Sequence, residues 1–156
     1  MPKTSAGLLM YRLHPGAEVL LVHPGGPFWQ NKDDGAWSIP KGEVEPREDL
    51  LCAAQREFEE ELGVRPTEPF IELKPVKQAG GKGVHAWAFK GDCDPTAIRS
   101  NTFTMEWPPR SGRQVEFPEI DRAAFFDLGA AKRKINPAQV RLLEELETRL
   151  SAKELS

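Results

Sequence analysis

The N-terminal part of the chain alternates between short apolar runs and turn-forming residues, a pattern typical of β-strands. Two apolar runs, residues 6–13 and 18–23, are separated by the turn signal His14-Pro15-Gly16, so they are predicted to form a hairpin. Residues 24–36 are too polar and too rich in glycine and proline for a regular element and are predicted to form a long loop. Residues 37–40 are expected to form a short strand after this loop.

Apolar residues at helical spacing follow, and they predict an amphipathic helix from about Glu48 to Leu62. Pro46 stands just before this segment and Gly63 just after it, which are common start and stop signals for a helix. The residues expected to face the core are Leu51, Ala54, Phe58 and Leu62.

Further strands are predicted after this helix, at residues 70–78, 84–89 and 101–107. Residues 117–128 fit either a strand or a loop. Pro137 opens a predicted final helix whose apolar stripe consists of Val140, Leu143, Leu146 and Leu150. Strands on both sides of a central helix, with a helix at the end, predict an α/β sandwich.

Length and composition agree with one domain spanning residues 1–156. The chain has 39% hydrophobic residues, which suffices for a core, and a net charge of −3, which gives no electrostatic footprint for duplex nucleic acid. Its first residues form neither a signal peptide nor a membrane span, so cytoplasmic localisation is expected. Cys52 and Cys93 are too few for a disulfide framework or a zinc site.

Three glutamates of the predicted central helix share one face. At about 100° per residue, Glu57, Glu60 and Glu61 fall within an arc of roughly 100°, whereas Glu59 points to the other side. A solvated charge run is the ordinary interpretation of such a string. However, Glu57 and Glu61 are a like-charged i,i+4 pair with no interleaved lysine to relieve them. Clustered carboxylates of this kind suit Mg²⁺ or Mn²⁺ bound together with substrate phosphates.

Residues 42–64 read GEVEPREDLLCAAQREFEEELGV and fit the pattern G-x5-E-x7-R-E-U-x-E-E-x-G-U, where U is a bulky apolar residue, at every specified position. The chance of such a match is on the order of 10⁻⁸ at average residue usage. The segment resembles the signature box of the Nudix hydrolases. That resemblance implies an α/β/α sandwich with a mixed central sheet. It also implies a metal-dependent enzyme that hydrolyses a pyrophosphate bond in a nucleoside diphosphate linked to another moiety.

The resemblance also assigns roles within the box. Mg²⁺, for which Mn²⁺ can substitute, is expected on Glu57, Glu60, Glu61 and the Gly42 carbonyl oxygen. Glycine at residue 42 leaves the approach to the metal open. Arg56 and Glu48 are expected to pair and to hold the glutamates in place, although an ordinary surface ion pair is the alternative.

Outside the box the candidates rest on weaker signals. Pro40-Lys41-Gly42 resembles the form found in many Nudix hydrolases that act on dinucleoside polyphosphates, so Lys41 is a candidate phosphate ligand or simply an exposed lysine. Arg12, Lys77 and Lys82 are candidate phosphate contacts by charge alone. Any of four aromatic residues is a candidate for stacking on a base, although each is more often part of a core: Phe28, Trp29, Trp87 and Trp107. His85 is interpreted as structural.

Members of the family often recruit a further glutamate from a late loop as a metal ligand or general base. Glu116 is the first candidate, ahead of Glu106 and Glu119, and Glu57 is the alternative base. Catalysis would then neutralise phosphate charge and activate a water molecule, with no covalent enzyme intermediate.

The expected substrate is a small nucleotide, with a dinucleoside polyphosphate such as diadenosine tetraphosphate as the first candidate. A nucleoside triphosphate pyrophosphohydrolase and an ADP-ribose hydrolase are alternatives, and RNA 5′ ends carry the same bond. A nucleotide sensor that binds without cutting is the non-enzymatic alternative, and a monomer or a homodimer is expected. Loss of Glu57, Glu60 or Glu61 would favour the sensor, but all three are present.

Overall fold

A mixed β-sheet occupies the centre of the computed structural model, which describes residues 4–153. Its strands follow the order β4-β6-β1-β2-β9, with β3 paired to β1 and β5 paired to β6. A separate hairpin consists of β7 and β8. The strands are β1 (Thr4–Leu13), β2 (Ala17–Pro24), β3 (Lys41–Glu43), β4 (Ile71–Glu72), β5 (Val76–Lys77), β6 (Gly83–Lys90), β7 (Thr102–Glu106), β8 (Gln114–Pro118) and β9 (Ile120–Asp127). The helices are α1 (Leu50–Leu62), α2 (Leu128–Lys134) and α3 (Val140–Ser151).

Helices cover both faces of the sheet, because successive side chains of a strand point to opposite faces. On one face, Leu8 and Met10 of β1 pack in a cluster with Phe58 of α1. On the other face, Leu9 of β1 packs in a cluster with Leu143 of α3. β1 is parallel to β6 and antiparallel to β2. The predicted α/β/α sandwich with a mixed central sheet is therefore confirmed.

The central helix α1 has well-defined ends. It begins at Leu50, slightly later than predicted, because the Asp49 carboxylate caps it by accepting a hydrogen bond from the Cys52 N–H at 3.1 Å. It ends at Gly63, whose φ of 70° is left-handed and whose N–H donates to the Glu59 carbonyl. The predicted stop is confirmed.

Several predicted strands differ from those observed. Residues 37–40 form only isolated bridges, Trp37 with Ile135 and Ser38 with Val22, and the strand β3 begins at Lys41 instead. Pro40 has no N–H with which to continue a ladder. Residues 70–78 are divided into the short strands β4 and β5. The ambiguous segment 117–128 contains the end of β8 and the whole of β9.

The C-terminal part also departs from the prediction. The short helix α2 follows β9 directly and was not predicted, because its seven residues are too few to show helical periodicity. Pro137 opens a 3₁₀ turn, and α3 starts after it. None of the helices within residues 4–153 is long and apolar enough to cross a membrane.

Candidate active site

The acidic face of α1 is held against the sheet by the helix's apolar face. Ala54, Phe58 and Leu62 are buried, whereas Leu51 is only partly buried. The Glu57 side chain is 16% exposed and that of Glu60 is 46% exposed, and Glu61 is partly buried. The structure therefore places Glu61 and Glu57 at the edge of the core rather than on a freely solvated surface.

The electrostatics of these carboxylates are unfavourable. Burial raises the pKa of Glu61 to about 8, and the charges of Glu57 and Glu119 add to this effect. Burial also raises the pKa of Glu57, despite an opposing hydrogen bond from Arg56. A cation bound among these groups would remove both the repulsion and part of the cost of desolvation.

Arg56 joins the acidic face to the start of α1. Its Nε and Nη2 donate to the two oxygens of Glu48 at 2.7 and 2.8 Å, which is a bidentate ion pair. Its Nη1 donates to Glu57 at 2.9 Å and to Glu60 at 3.3 Å. The Arg56 hydrogen bonds, with one from the Glu45 N–H, lower the pKa of Glu48 to about 2. Glu48 therefore stays charged and anchors Arg56, and Arg56 in turn fixes the position of Glu57.

Gly42 brings backbone rather than a side chain to Glu57. Residue 42 lies on β3 and pairs with Ala6 of β1. A Cβ atom at this position would overlap the carboxyl group of Glu57 and lie 2.6 Å from its Cγ. Only glycine allows β3 and Glu57 to approach this closely.

A small pocket of about 140 Å³ opens beside these residues. Its charged lining residues are Lys41, Glu61 and Glu119. Lys41 is partly buried, and burial together with the nearby charge of Lys82 lowers its pKa, although Glu61 and Glu43 oppose the shift. The pocket thus combines a cation with carboxylates, as an anionic substrate carrying metal ions requires.

Glu119 is the late-loop glutamate that the structure brings to this pocket, whereas Glu116 was the first candidate. Glu119 lies at the bend between β8 and β9, where its N–H donates to the Asn101 carbonyl at 2.9 Å. Glu116 lies on the exposed strand β8 opposite Thr104, because β8 pairs with β7 outside the central sheet. Glu106 is on β7 and accepts from the Arg110 N–H. The sequence signal for Glu119 is its position directly after Pro118, where the strand has to break.

The segment that leads into β3 is fixed by a buried glutamine. Gln139 is fully buried, and its Oε1 accepts a hydrogen bond from the Ile39 N–H at 3.1 Å. Its Nε2 donates to Ser38 Oγ at 3.0 Å and to Gln78 Oε1 at 2.8 Å. Sequence reasoning did not identify this residue, which positions Lys41 and Gly42 from the start of α3.

The three basic residues predicted to contact phosphate by charge alone lie at different distances from the pocket. Lys82 lies beside the box, with its Nζ 3.9 Å from Glu43 Oε1, and Lys77 lies on the edge strand β5. The structure places Arg12, the third candidate, apart from the pocket. It donates to Glu18 at 2.7 Å and to Asp92 at 2.8 Å, and it lies five residues beyond the β3 pairing, roughly 17 Å along β1.

Two exposed aromatic residues, Phe28 and Trp29, belong to the long loop that is joined to the pocket at Gly25. Phe28 is 63% exposed and packs edge-on against Trp107, with ring centroids 5.8 Å apart. Trp29 is 41% exposed, and Lys32 Nζ lies 5.5 Å from its ring. The Gly25 N–H donates to the Glu119 carbonyl at 2.9 Å, which joins this loop to the pocket. Trp87 is buried in the core and is excluded as a stacking residue.

The long loop is also anchored by a histidine that sequence reasoning missed. His23 is fully buried, with Nδ1 2.8 Å from Asp121 Oδ1 and Nε2 2.6 Å from the Lys32 carbonyl oxygen. His85, by contrast, is partly buried on β6 opposite Ala6. His23 therefore positions the aromatic residues, and the structure gives His85 no place in the pocket lining.

The donor set suits a divalent cation in charge and in chemistry. Within residues 4–153, no three acidic, histidine or cysteine side chains already converge at ligating distance. Glu57 instead accepts a hydrogen bond from Arg56, whose positive charge attracts its carboxylate. The buried carboxylates and the open backbone at Gly42 are the features that fit a hard metal ion.

Comparison with known proteins identifies the family. The NUDIX domain model matches residues 1–146. An RNA pyrophosphohydrolase from Caulobacter vibrioides is 39% identical over 129 residues, which cover 68% of this chain and 75% of that protein.

Two solved structures share the fold. One is the binary complex of a C. elegans Ap4A hydrolase, with a TM-score of 0.68, 22% identity, and coverage of 95% of this chain and 98% of that one. The other is the NUDIX domain of Shewanella oneidensis NrtR complexed with ADP ribose, with a TM-score of 0.66, 17% identity, and coverage of 96% and 89%. With the family model spanning most of its length, this chain belongs to the Nudix family and is a pyrophosphohydrolase.

Proposed function

We propose that this pyrophosphohydrolase cleaves the polyphosphate chain of a nucleotide at the pocket between β3, α1 and Glu119. The observation that carries the proposal is the group of partly buried carboxylates, Glu57 and Glu61, facing Glu119 and Lys41. Such a group is costly unless cations and a phosphorylated ligand occupy the site.

Nudix hydrolases generally use divalent metal ions, and the candidate ligands here are Glu57, Glu60, Glu61 and the Gly42 carbonyl oxygen. Mg²⁺ is the first candidate, and Mn²⁺ is expected to substitute. When bound, the metal supplies neutralisation of phosphate charge and a lower pKa for water. Arg56 keeps Glu57 oriented through the bidentate pair with Glu48.

Side chains of the protein supply the general base, the phosphate contact and the base-stacking contact. Glu119 takes the proton from the attacking water, because it lines the pocket together with Glu61, and Glu57 is the alternative base. Lys41 donates to a phosphate oxygen and offsets the charge that develops on the leaving group. Attack at phosphorus breaks one P–O bond and gives two phosphorylated products. Exposed Phe28 stacks on a base of the substrate.

A dinucleoside polyphosphate is the first substrate candidate. The charge of Lys82 lowers the pKa of Lys41, so the two lysines lie near each other and together can contact a long polyphosphate bridge beyond the metal ions. The fold shared with the C. elegans Ap4A hydrolase is compatible with this assignment. RNA with a 5′-triphosphate is the second candidate, and it is favoured by the relative with 39% identity that is named an RNA pyrophosphohydrolase.

The deciding experiment compares kcat/KM under one Mg²⁺ condition for five substrates. These are diadenosine tetraphosphate, 5′-triphosphorylated RNA, ATP, 8-oxo-dGTP and ADP-ribose, with the products identified for each. A preference of at least about tenfold, or about 1.4 kcal/mol, assigns the substrate. A tenfold preference for ATP, 8-oxo-dGTP or ADP-ribose would contradict both candidates, and absence of turnover with all five would contradict the proposed use of the site.

A further inference from the structure

A groove runs along the edge of the sheet away from the carboxylate pocket. It consists of three adjoining cavities of about 630, 550 and 490 Å³ between the segment containing β4 and β5 and the helix α3. The cavities share lining residues, since Pro75 borders all three, Lys74 borders two of them and Arg141 connects one of these to the third. They therefore form one continuous surface, which we call the edge groove.

The edge groove is positively charged, although the chain has a net charge of −3. Its cationic residues are Lys74, Lys77, Arg141 and Arg149. Two acidic residues also line the groove, fewer than the four cations. Glu72 is exposed in the cavity of about 550 Å³. Glu145 lines the largest of the three cavities and already accepts from Arg149 Nε at 3.0 Å and from the Lys74 N–H at 2.8 Å. Among the residues that the structure describes, no ion pair involves Lys74, Lys77 or Arg141. Three cations are thus available to an anionic ligand.

The remaining lining shows which part of a ligand is contacted. Besides Phe70 at one end, the groove presents aliphatic and small side chains such as Pro75, Val76 and Pro137. Such a surface offers little for stacking bases and much for repeated phosphate contacts. The chemistry fits a nucleic acid backbone bound without regard to sequence.

Two lysines, Lys77 and Lys82, lie between the edge groove and the pocket. Lys77 of β5 pairs with Gly83, which follows Lys82 directly, and Lys82 Nζ lies 3.9 Å from Glu43 of β3. Lys82 in turn influences the charge of Lys41 in the pocket. β5 and β3 are separated by β6 and β1, which is three strand spacings or about 14 Å. A strand leaving the pocket would therefore pass Lys82 and Lys77 around the edge of the sheet to reach the groove on the α3 side.

We propose that the edge groove binds the single-stranded segment that follows the 5′ end of an RNA substrate. This inference rests on RNA, the second substrate candidate of the proposed function. The groove contacts phosphates downstream of the cleaved bond, so it raises the affinity for long RNA over short RNA. It takes no part in the chemical step.

Binding without hydrolysis tests the groove directly. A 5′-hydroxyl RNA of about 12 nucleotides is titrated by fluorescence anisotropy in the absence of metal. The variant Lys74→Glu/Arg141→Glu is compared with Arg65→Glu/Lys90→Glu, which makes the same change in charge at exposed positions outside the groove. We expect the first variant to bind at least about tenfold more weakly. Its slope of log K against log salt should fall by about 1.4, or about 0.7 for each lost contact. Equal losses in the two variants would overturn the proposal.

Turnover gives a second test and separates the two proposals. In the wild type, kcat/KM for a 5′-triphosphorylated RNA of about 12 nucleotides should be more than about tenfold higher than kcat/KM for a 5′-triphosphorylated dinucleotide. Lys74→Glu/Arg141→Glu should abolish this difference and leave the dinucleotide rate unchanged. Hydrolysis of both RNAs at equal rates would overturn the edge groove. If neither RNA is hydrolysed, RNA is not a substrate of the enzyme. The binding experiment alone then tests whether the edge groove binds RNA.

Discussion

Gly42 and Glu57 are in such close contact that a single methyl group at residue 42 would overlap the Glu57 carboxyl group. Gly42→Ala should therefore displace Glu57 and lower kcat by about 100-fold, since a misplacement of about 1 Å in a catalytic constellation has effects of that size. Gly16→Ala is the matched control, because a Cβ there meets no atom within 4 Å. Both proteins should unfold in similar thermal transitions, and a Gly42→Ala enzyme with the wild-type kcat would contradict the assignment.

Glu61→Gln should abolish hydrolysis, whereas Glu59→Gln should be nearly silent. The two changes remove the same charge from the same helix, but Glu61 lines the pocket and Glu59 is exposed. Turnover at saturating Mg²⁺ on the best substrate checks this difference. Comparable losses in the two variants would show that the acidic face of α1 has no special role.

Glu119→Gln should lower kcat by about 100- to 10,000-fold, the usual effect of losing a general base, with little change in KM. Glu116→Gln should stay within about twofold of the wild type, because Glu116 lies on β8 and does not line the pocket. The pH profile of kcat provides a further readout, since removing a general base removes its acidic limb. A larger effect from Glu116 than from Glu119 would restore the original candidate.

Metal-free protein should lose stability as the pH rises through the range set by Glu61. Its pKa is about 8 in the folded chain against 4.5 for a free glutamate, so folding favours the protonated form. That contribution is complete below about pH 4.5 and is lost as the pH rises towards 8. In EDTA at about pH 8, Glu61→Gln should therefore have a higher melting temperature than the wild type. The increase should be about 2–4 °C for each kcal/mol of unfolding free energy that the substitution restores, and it should shrink towards about pH 5.

Mg²⁺ provides the complementary measurement. Millimolar Mg²⁺ or Mn²⁺ should raise the melting temperature of the wild type at this pH, because the ion binds only the folded protein. The double variant Glu57→Gln/Glu61→Gln should respond little. Equal shifts in both proteins would mean that the ion binds elsewhere.

Phe28→Ala should raise KM with little effect on kcat if the exposed ring stacks on a base. Loss of one stacking contact is worth about 1–3 kcal/mol, which corresponds to roughly 5- to 150-fold in KM. Trp29→Ala is a suitable comparison, because Trp29 is also exposed but is packed with Lys32 rather than with Trp107. Unchanged KM for Phe28→Ala would remove this residue from the substrate site.

Local periodicity was sufficient to predict α1 and the face that carries Glu57 and Glu61, because a helix fixes the direction of each side chain from its neighbours alone. It was insufficient wherever the answer depends on distant parts of the chain. Arg12 donates a hydrogen bond to Asp92, which is 80 residues away, and the charge of Arg12 alone could not predict this partner. Glu116 lies within the pairing of β8 with β7, whereas Glu119 lies just beyond its end. The sequence near these residues does not show where that pairing ends.

The buried amide of Gln139 makes the C-terminal part of the chain a structural component of catalysis. Every polar atom of its side chain is engaged with Ser38, Ile39 or Gln78, and these contacts cross up to 101 residues of sequence. An apolar residue there would leave the Ile39 N–H buried without an acceptor, just ahead of Lys41. Replacing Gln139 with leucine would consequently act as an active-site lesion while every signature residue remained in place.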